Sequence, residues 1–429
     1  MNSRYLTALE HQRVPVAETL SEMGLSLAEA DTLALLGEQR PGFCERGHRS
    51  VRLSQYCGVV SLGERALEII PKIGDSRSVE AGRSLLLQLL HDAEDFPVFR
   101  DVAVGQHLRE GSLLEVFIAA FFDSISAIIQ RGLLRQYQEQ EADLQVVRGR
   151  ILSERQFVAN ANRPDRLACR FDELTPDNAW NRLLKAGLHA VRSWITSARL
   201  QRRWIELMGL FEEVSSVSGD SQLLSRLVFD RHSSRYRIAI EWVRWILDVV
   251  SPNLRFDKNA APGLLFDMNL LFESAVAGVV RRRAGSEVRV VAQDTGRHLA
   301  SVPGVKRSFF GLRPDLVVRR GGVTVAIGDT KWKTLEVGST GHLVPAVDDM
   351  YQMHAYAAAF QCEHLALIYP WHEGLTQSLE TAFQLPMINA LRPVVTVVCL
   401  DLHQGQYAAK RGAGSVEFGA LFQPHRRAS

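Results

Sequence analysis

The sequence predicts an α+β multidomain protein. A β-rich domain is expected over residues 1–80, a mainly helical middle region over 81–255 and an α/β domain over 256–429. Three observations carry this. The chain has 429 residues, more than one hydrophobic core usually serves. Its apolar periodicity shifts from strand-like to helical and then to a mixed pattern. A tract with two prolines, a glycine and mixed charge, SPNLRFDKNAAPG (251–263), sets the boundary before the last part.

In the first part, LSLAEADTLALLG (25–37) reads as a short helix. SVRLSQYCGVVSLGERALEIIPKIG (50–74) reads as strands joined by tight turns: Val, Ile and Leu cluster around Gly63, and Pro71 closes the run. From about 81 the spacing becomes helical. SLLEVFIAAFFDSISAIIQRGLLRQY (112–137), NAWNRLLKAGLHAVRSWI (178–195) and RYRIAIEWVRWILDVV (235–250) place apolar residues every three to four positions. Their aromatics read as core. Between them, VVRGRILSERQ sets Gly149 between two arginines, which suggests a turn. After the break a helix is expected over LLFDMNLLFESAVAGVVRRR (264–283), then strands around 288–293, 312–319 and 324–329. A helix around 346–360 and strands at 364–369 and 394–400 follow. This order, α-β-β-β-α-β with one further strand, describes an α/β sandwich.

Composition excludes several classes. Apolar residues make up 46% and charged residues 23%, with a net charge of +2. No global field draws such a chain onto nucleic acid, so binding there would use local patches: Arg281, Arg282 and Arg283, Arg319 with Arg320, or Arg148 with Arg150. A solvated helix end is the other reading of the arginine triplet, because cations suit a helix C-terminus. The 5 cysteines are odd in number and lack a CxxC pair. They fit a reducing compartment and not a disulfide framework or a zinc site. Cys44 and His48 form a lone C-x3-H with no second pair. The first residues show no basic-then-apolar signal segment, and no uncharged apolar run approaches membrane-spanning length. A cytoplasmic protein with no membrane role is expected. Nothing matches G-x-x-x-x-G-K-[ST], and EVGSTGH (336–342) is a glycine-containing loop without the lysine. No nucleotide is expected on this chain, so any motor it works with is a separate one.

The chemistry concentrates in RPDLVVRRGGVTVAIGDTKWK (313–333). It alternates like two strands yet carries Asp315, Asp329 and Lys331. Residues i and i+2 share a strand face, so Asp329 and Lys331 form a pair at the end of a buried run, VTVAIG. Gly321 and Gly322 make a hairpin plausible, which would bring Asp315 beside Asp329. Converging, partly desolvated carboxylates need a cation. Oxygen-only ligands select Mg²⁺ or Mn²⁺ over zinc, and a lysine beside such an ion suits phosphoryl chemistry. Glu273 stands among apolar neighbours on the preceding helix, where an unpaired acid is expensive. Gln352 and Tyr356 are four apart on the following helix and share a face. Singly, each of these features also fits an ordinary strand end, turn or amphipathic helix. Jointly, in this order, they describe a site.

The constellation from Glu273 through Pro314-Asp315 and Asp329-Thr330-Lys331 to Gln352 and Tyr356 resembles the PD-(D/E)xK nuclease superfamily. The last pair is similar to the Q-x-x-x-Y motif of its RecB-related branch. FDMNLLFESAV, DTKWK and DDMYQMHAYA resemble the C-terminal half of the McrC family, the nuclease subunits of McrBC modification-dependent restriction systems. GVVSLGERALEIIPKIG, RGRI and CRFDELTPDNAWNRLLKAGL resemble preceding parts of that family. The likeness is thinnest before residue 50 and after residue 400.

The resemblance implies a DNA endonuclease subunit. It implies docking through the N-terminal part on a McrB-like AAA+ GTPase ring, stimulation of NTP hydrolysis and cleavage of double-stranded DNA. Asp315 and Asp329 would be metal ligands helped by Glu273 and the Thr330 carbonyl, with Mg²⁺ as cofactor or Mn²⁺ in its place. Lys331 would position water or stabilise the transition state. Gln352 and Tyr356 would support the site or contact DNA. The turn near Gly63 and the stretch 40–52 are candidates for insertion into the ring. Two alternatives belong beside this: an adaptor that activates its motor with a dead nuclease site, and a repair nuclease of the same superfamily that acts alone.

Overall fold

Ser26 starts the first helix, α1 (Leu27–Gln39), with a capping box: its side chain accepts from Glu29 N, and Glu29 Oε2 accepts from Ser26 N at 2.8 Å. The computed structural model describes residues 5–17, 24–63, 65–72, 78–93, 112–217, 221–250, 263–303, 308–338, 342–372, 375, 381–388, 390–402, 408–411 and 414–417. They fall into two compact units, one of residues 1–109 with 265–429 and one of residues 110–264. The residues of the expected first domain and most of those of the expected last domain thus share a unit.

The first unit opens with β1 (Tyr5–Leu9), β2 (Arg13–Pro15), β3 (Cys44–Arg46), β4 (Ser50–Leu53), β5 (Tyr56–Ser61) and β6 (Ala66–Ile70). The strands expected within 50–74 are β4, β5 and β6, and Gly63 takes φ +92° in the turn between the last two. β1 lies parallel to β6, and β5 antiparallel to it. β2, β4 and β3 make a separate antiparallel sheet. Arg65 forms a buried ion pair with Glu29 of α1 at 2.6 Å, which ties that helix to the β5–β6 turn. Helix α2 (Val79–Asp92) follows.

The second unit begins with α3 (Leu113–Gln130), capped by Ser112. The apolar tract 112–137 does not stay helical to its end. Gly132 takes φ +80°, and Leu134 is held by Tyr236, Asn178 and Asn181, so the chain leaves the helix there. By length and composition α3 could cross a membrane, but 67% of it is buried in the structure. It carries Glu115, which accepts from Thr196 N, Thr196 Oγ1 and Ser197 N at 2.6–3.0 Å. β7 (Gln136–Leu144), β8 (Arg150–Ile151), α4 (Ser153–Ala159) and β9 (Leu167–Thr175) come next, with sheet order β7-β9-β8.

That sheet is not apparent from apolar periodicity, because QYQEQEADL of β7 offers none. Charge pairs cross it instead, as between Glu141 and Arg170 at 2.6 Å in register, while Ala168, Cys169 and Phe171 of β9 are buried. Gly149 turns the chain at φ +67°, where a Cβ would stand 2.3 Å from the Arg170 carbonyl. Helices α5 (Ala179–Val191), α6 (Ala198–Gly209), α7 (Ser221–Ser225) and α8 (Arg237–Val250) complete the unit, with α8 packed on α3 and α5. Tyr137, Val146, Val147, Phe157, Val158 and Leu174 of this unit stay exposed.

Most of the expected boundary, 251–262, lies outside the described residues. Where the sequence suggests a helix from 264, the chain first makes strand β10 (Gly263–Asp267) beside β5. Leu265 and Phe266 are buried there, and Met268 N donates to Gln55 O at 2.9 Å. Asp267 then caps α9 (Met268–Arg283), accepting from Asn269 N. β11 (Val288–Ala292), the hairpin β12 (Arg297–Ser301) and β13 (Ser308–Leu312), β14 (Leu316–Arg320), β15 (Val323–Thr330) and α10 (Val347–Phe360) follow. β16 (His364–Pro370), β17 (Thr381–Gln384), β18 (Val394–Asp401), β19 (Ala408–Arg411) and β20 (Gly414–Glu417) end the described chain.

The large sheet runs β11-β14-β15-β16-β18-β19-β20, with β17 on β18. Its β11, β14 and β15 are antiparallel, and β15, β16 and β18 are parallel. The strands expected at 288–293, 324–329, 364–369 and 394–400 are β11, β15, β16 and β18. The one expected at 312–319 begins only after Asp315. Helix α9 packs on β11 and β15, and α10 on β16. The protein is thus a mixed α/β multidomain chain with several sheets.

Candidate active site

Two adjacent glycines and a one-residue bulge set the geometry of the site. Gly321 and Gly322 take φ +56° and +84°, the conformation of a tight two-residue hairpin. The hairpin pairs Arg320 with Val323, and the register then shifts by one residue between Arg319 and Val318, so that Leu316 stands opposite Gly328. Continuing that shifted register sets Asp315 opposite Asp329. Asp315 Oδ2 accepts from Thr330 N and Thr330 Oγ1 at 2.6 and 2.7 Å. Asp329 is 1% exposed, at the end of a strand covered on both faces.

Lys331 approaches next. Its Nζ lies 2.6 Å from Asp329 Oδ2, yet that oxygen is buried without a hydrogen bond of good geometry. Lys331 Nζ donates to Gln352 Oε1 at 3.0 Å. Gln352 Nε2 donates to Asp329 Oδ1 at 3.3 Å and to the Tyr356 hydroxyl at 2.7 Å. The residues expected on one helix face thus reach the strand end together. Glu273, half-buried on α9, stands near enough to feel the charges of Asp315 and Asp329.

The electrostatics follow from burial. Desolvation, then Asp315, pushes Asp329 up to about 7 against the pull of Lys331. Desolvation raises Asp315 too, opposed by its Thr330 bonds. Glu273 rises to about 7 through burial and the Asp315 charge, with a bond from Gln293 opposing. Burial pulls Lys331 down, but Asp329, Asp349 and Asp315 together hold it above its ordinary value. Burial raises the Tyr356 phenol far above its usual range, with Asp329 adding to it.

Sequence reasoning missed several neighbours. Asp349 is buried and accepts from Lys333 Nζ at 2.7 Å and from the Tyr369 hydroxyl at 2.8 Å, and it lies 3.9 Å from Lys331 Nζ. Burial would raise this carboxyl, but Lys333 and Tyr369 outweigh it. Its signal was present: Asp349, Gln352 and Tyr356 fall at i, i+3 and i+7. Gln293 takes φ +49°, its N donates to Asp315 O at 3.0 Å, and its side chain meets Glu273 and Arg313. A non-glycine residue held there marks a strained, over-determined position, which no sequence spacing reveals. Three arginines of the basic patches make internal contacts: Arg282 pairs with Asp92, Arg281 bonds the Val290 carbonyl, and Arg319 pairs with Asp294. The helix-end reading of Arg281, Arg282 and Arg283 agrees with their place in the last turn of α9.

For a metal, the donor set is the decisive observation. Desolvated carboxylates with raised protonation, and one buried oxygen without a hydrogen bond, suit a hard divalent cation in kind. Among the described residues no three His, Cys, Asp or Glu side chains stand close enough to enclose an ion. The fit therefore rests on the Asp315 and Asp329 pair, with Glu273 at longer range. All five cysteines are free.

Fold and site define a mixed α/β protein with a carboxylate–lysine cluster at the end of a central strand. The chain belongs to the family described as "McrBC 5-methylcytosine restriction system component", whose model matches residues 51–370. Among solved structures it resembles a half-complex from a tetradecameric assembly of Thermococcus gammatolerans McrB AAA+ hexamers with bound McrC. That match has a TM-score of 0.69 at 19% identity and covers 97% of this chain and 98% of the other. It also resembles a chain of the cryo-EM structure of the Thermococcus gammatolerans McrBC complex, with a TM-score of 0.50, 22% identity and coverage of 66% and 88%. At these identities the likeness speaks for the fold. No curated protein matches.

Proposed function

We propose that the chain is the DNA-cleaving subunit of a McrBC-type restriction system in the cytoplasm, a metal-dependent endodeoxyribonuclease of the PD-(D/E)xK superfamily. One observation carries this: Asp315, Asp329, Lys331, Gln352 and Tyr356, drawn from two strands and a helix, meet at one strand end. Asp315 and Asp329, with Glu273 and the Thr330 carbonyl, would hold Mg²⁺ or Mn²⁺. Such an ion, when bound, supplies charge stabilisation at phosphorus and a more acidic water. Lys331 adds a cation beside the attacked phosphate. Gln352 holds Lys331 and Asp329 in place, and Tyr356 holds Gln352. Asp349 orients Lys331 and Lys333 toward the same side.

The partner is an AAA+ GTPase ring like McrB, which would deliver double-stranded DNA. The solved structure that this chain resembles in fold contains McrB AAA+ hexamers with bound McrC. The exposed apolar side chains from Tyr137 to Leu174 support docking on another protein, in addition to the N-terminal candidates near Gly63 and at 40–52. A dead adaptor is the second reading, and the close Lys331–Asp329–Gln352 contacts weigh against it.

Asp329→Ala and Lys331→Ala in the reconstituted complex should each lower cleavage on the order of a hundredfold or more. Both should still stimulate hydrolysis by the partner, and EDTA should stop cleavage by the wild type. Full cleavage by either variant excludes this active site. Wild-type stimulation without any cleavage would make the chain the adaptor.

A further inference from the structure

The site has a rear wall whose contacts are unusual for a plain core. Lys331 and Lys333 reach Asp329 and Asp349, while Trp332 between them points elsewhere. It is 6% exposed, and its Nε1 donates to both carboxylate oxygens of Glu10, at 3.0 and 3.2 Å. Its ring packs on that of Phe272, with centroids 5.3 Å apart and planes at 56°. Phe272 precedes Glu273 on α9, and Trp332 follows Lys331 at the end of β15. One tilted ring pair therefore joins the two walls of the site.

Glu10 is anchored in turn to the N-terminal sheet. It is 1% exposed. Its N donates to Ile70 O at 2.9 Å, and its Oε1 accepts from Lys72 N at 2.8 Å. Both partners flank the end of β6. The same sheet contains β10, which runs directly into α9. The N-terminal sheet thus grips the helix bearing Glu273 through the chain and the strand end bearing Lys331 through Glu10. A carboxylate buried for packing alone would be a poor choice, since an apolar residue would fill the space without desolvating a charge. Its bidentate grip on one indole N–H fixes the position of the ring.

We propose, on the reading of the site given above, that Glu10 is a positioning residue that sets the spacing between Lys331 and Glu273 through Trp332 and Phe272. It touches neither DNA nor ion. Outer contacts of this kind typically change metal affinity or activity by about ten- to a hundredfold. The test uses the full chain, alone and with its AAA+ partner. Trp332→Phe keeps the ring on Phe272 but deletes the N–H. Glu10→Ala deletes the acceptor, and Glu10→Gln keeps one acceptor oxygen. Calorimetry gives Mn²⁺ affinity for the chain alone, and the complex gives cleavage against Mn²⁺ and stimulated NTP hydrolysis.

Glu10→Ala and Trp332→Phe should weaken Mn²⁺ binding and shift the cleavage requirement about tenfold, with hydrolysis stimulation unchanged. Glu10→Gln should recover most of the loss. The proposal is overturned if the variants match the wild type, or if cleavage, stimulation and cooperative melting fail together in all three. Should the wild type bind Mn²⁺ but leave DNA whole, the nuclease reading fails and the Mn²⁺ affinities still decide the positioning role. A wild type that does not bind Mn²⁺ overturns both.

Discussion

At the scale of residues, the site is a group of acids held at a shared disadvantage. Glu273 shows this in its dependence on pH. A carboxyl whose folded-state pKa is raised favours the fold only while protonated. The stability Glu273 contributes is complete below its ordinary 4.5 and is lost as pH rises through about 7. Glu273→Gln should therefore melt higher than the wild type in EDTA, with the gain opening above pH ~5 and levelling beyond pH ~7. On the proposed nuclease reading, the same variant in the complex should need more Mg²⁺ and cut more slowly. A flat difference in melting temperature across pH would refute the electrostatic account, and unchanged cleavage would remove Glu273 from the ligand set. Asp315, Asp329, Lys331, Gln352 and Tyr356 were legible as candidates because period two and period 3.6 both point them to one edge. Glu10 was not, since 322 residues separate it from Trp332 and no local pattern links them.

Individual elements show where apolar periodicity stops informing. The strands β11, β15, β16 and β18 and helix α10 were legible because buried apolar runs define them. The strand β10 was not, because GLLFD joins MNLLFE without a break in apolar content. Only Asp267, as a cap, divides strand from helix. The strand β7 escaped for the opposite reason: it carries Glu141 and Asp143, paired with Arg170 and Arg155, where Val or Ile would mark a strand. The turn of its sheet depends on Gly149. Gly149→Ala would combine a left-handed backbone with a Cβ 2.3 Å from the Arg170 carbonyl and 2.9 Å from Phe171 Cβ. A loss of about 2 kcal/mol or more is expected, read as a lower denaturation midpoint. A midpoint unchanged from the wild type would show that the turn relaxes freely.

For the whole molecule, the division into units governs how it can be taken apart. Residues 110–264 are continuous, whereas the other unit needs both ends of the chain. A fragment of 112–250 should melt cooperatively by circular dichroism. A fragment of 256–429 lacks β1, β5 and β6 of the N-terminal sheet and the Glu10 grip on Trp332, so it should not. Cooperative melting of that fragment would refute the interdependence drawn from the N-terminal sheet. The same arrangement bears on how the protein is made. Synthesis releases the N-terminal strands first and then all of 110–264, while Asp329 and Lys331 are still to come. Glu10 waits through most of translation for its indole. A chain truncated anywhere before residue 356 lacks part of the cluster that joins Asp329, Lys331, Gln352 and Tyr356, so no premature product holds the whole of it.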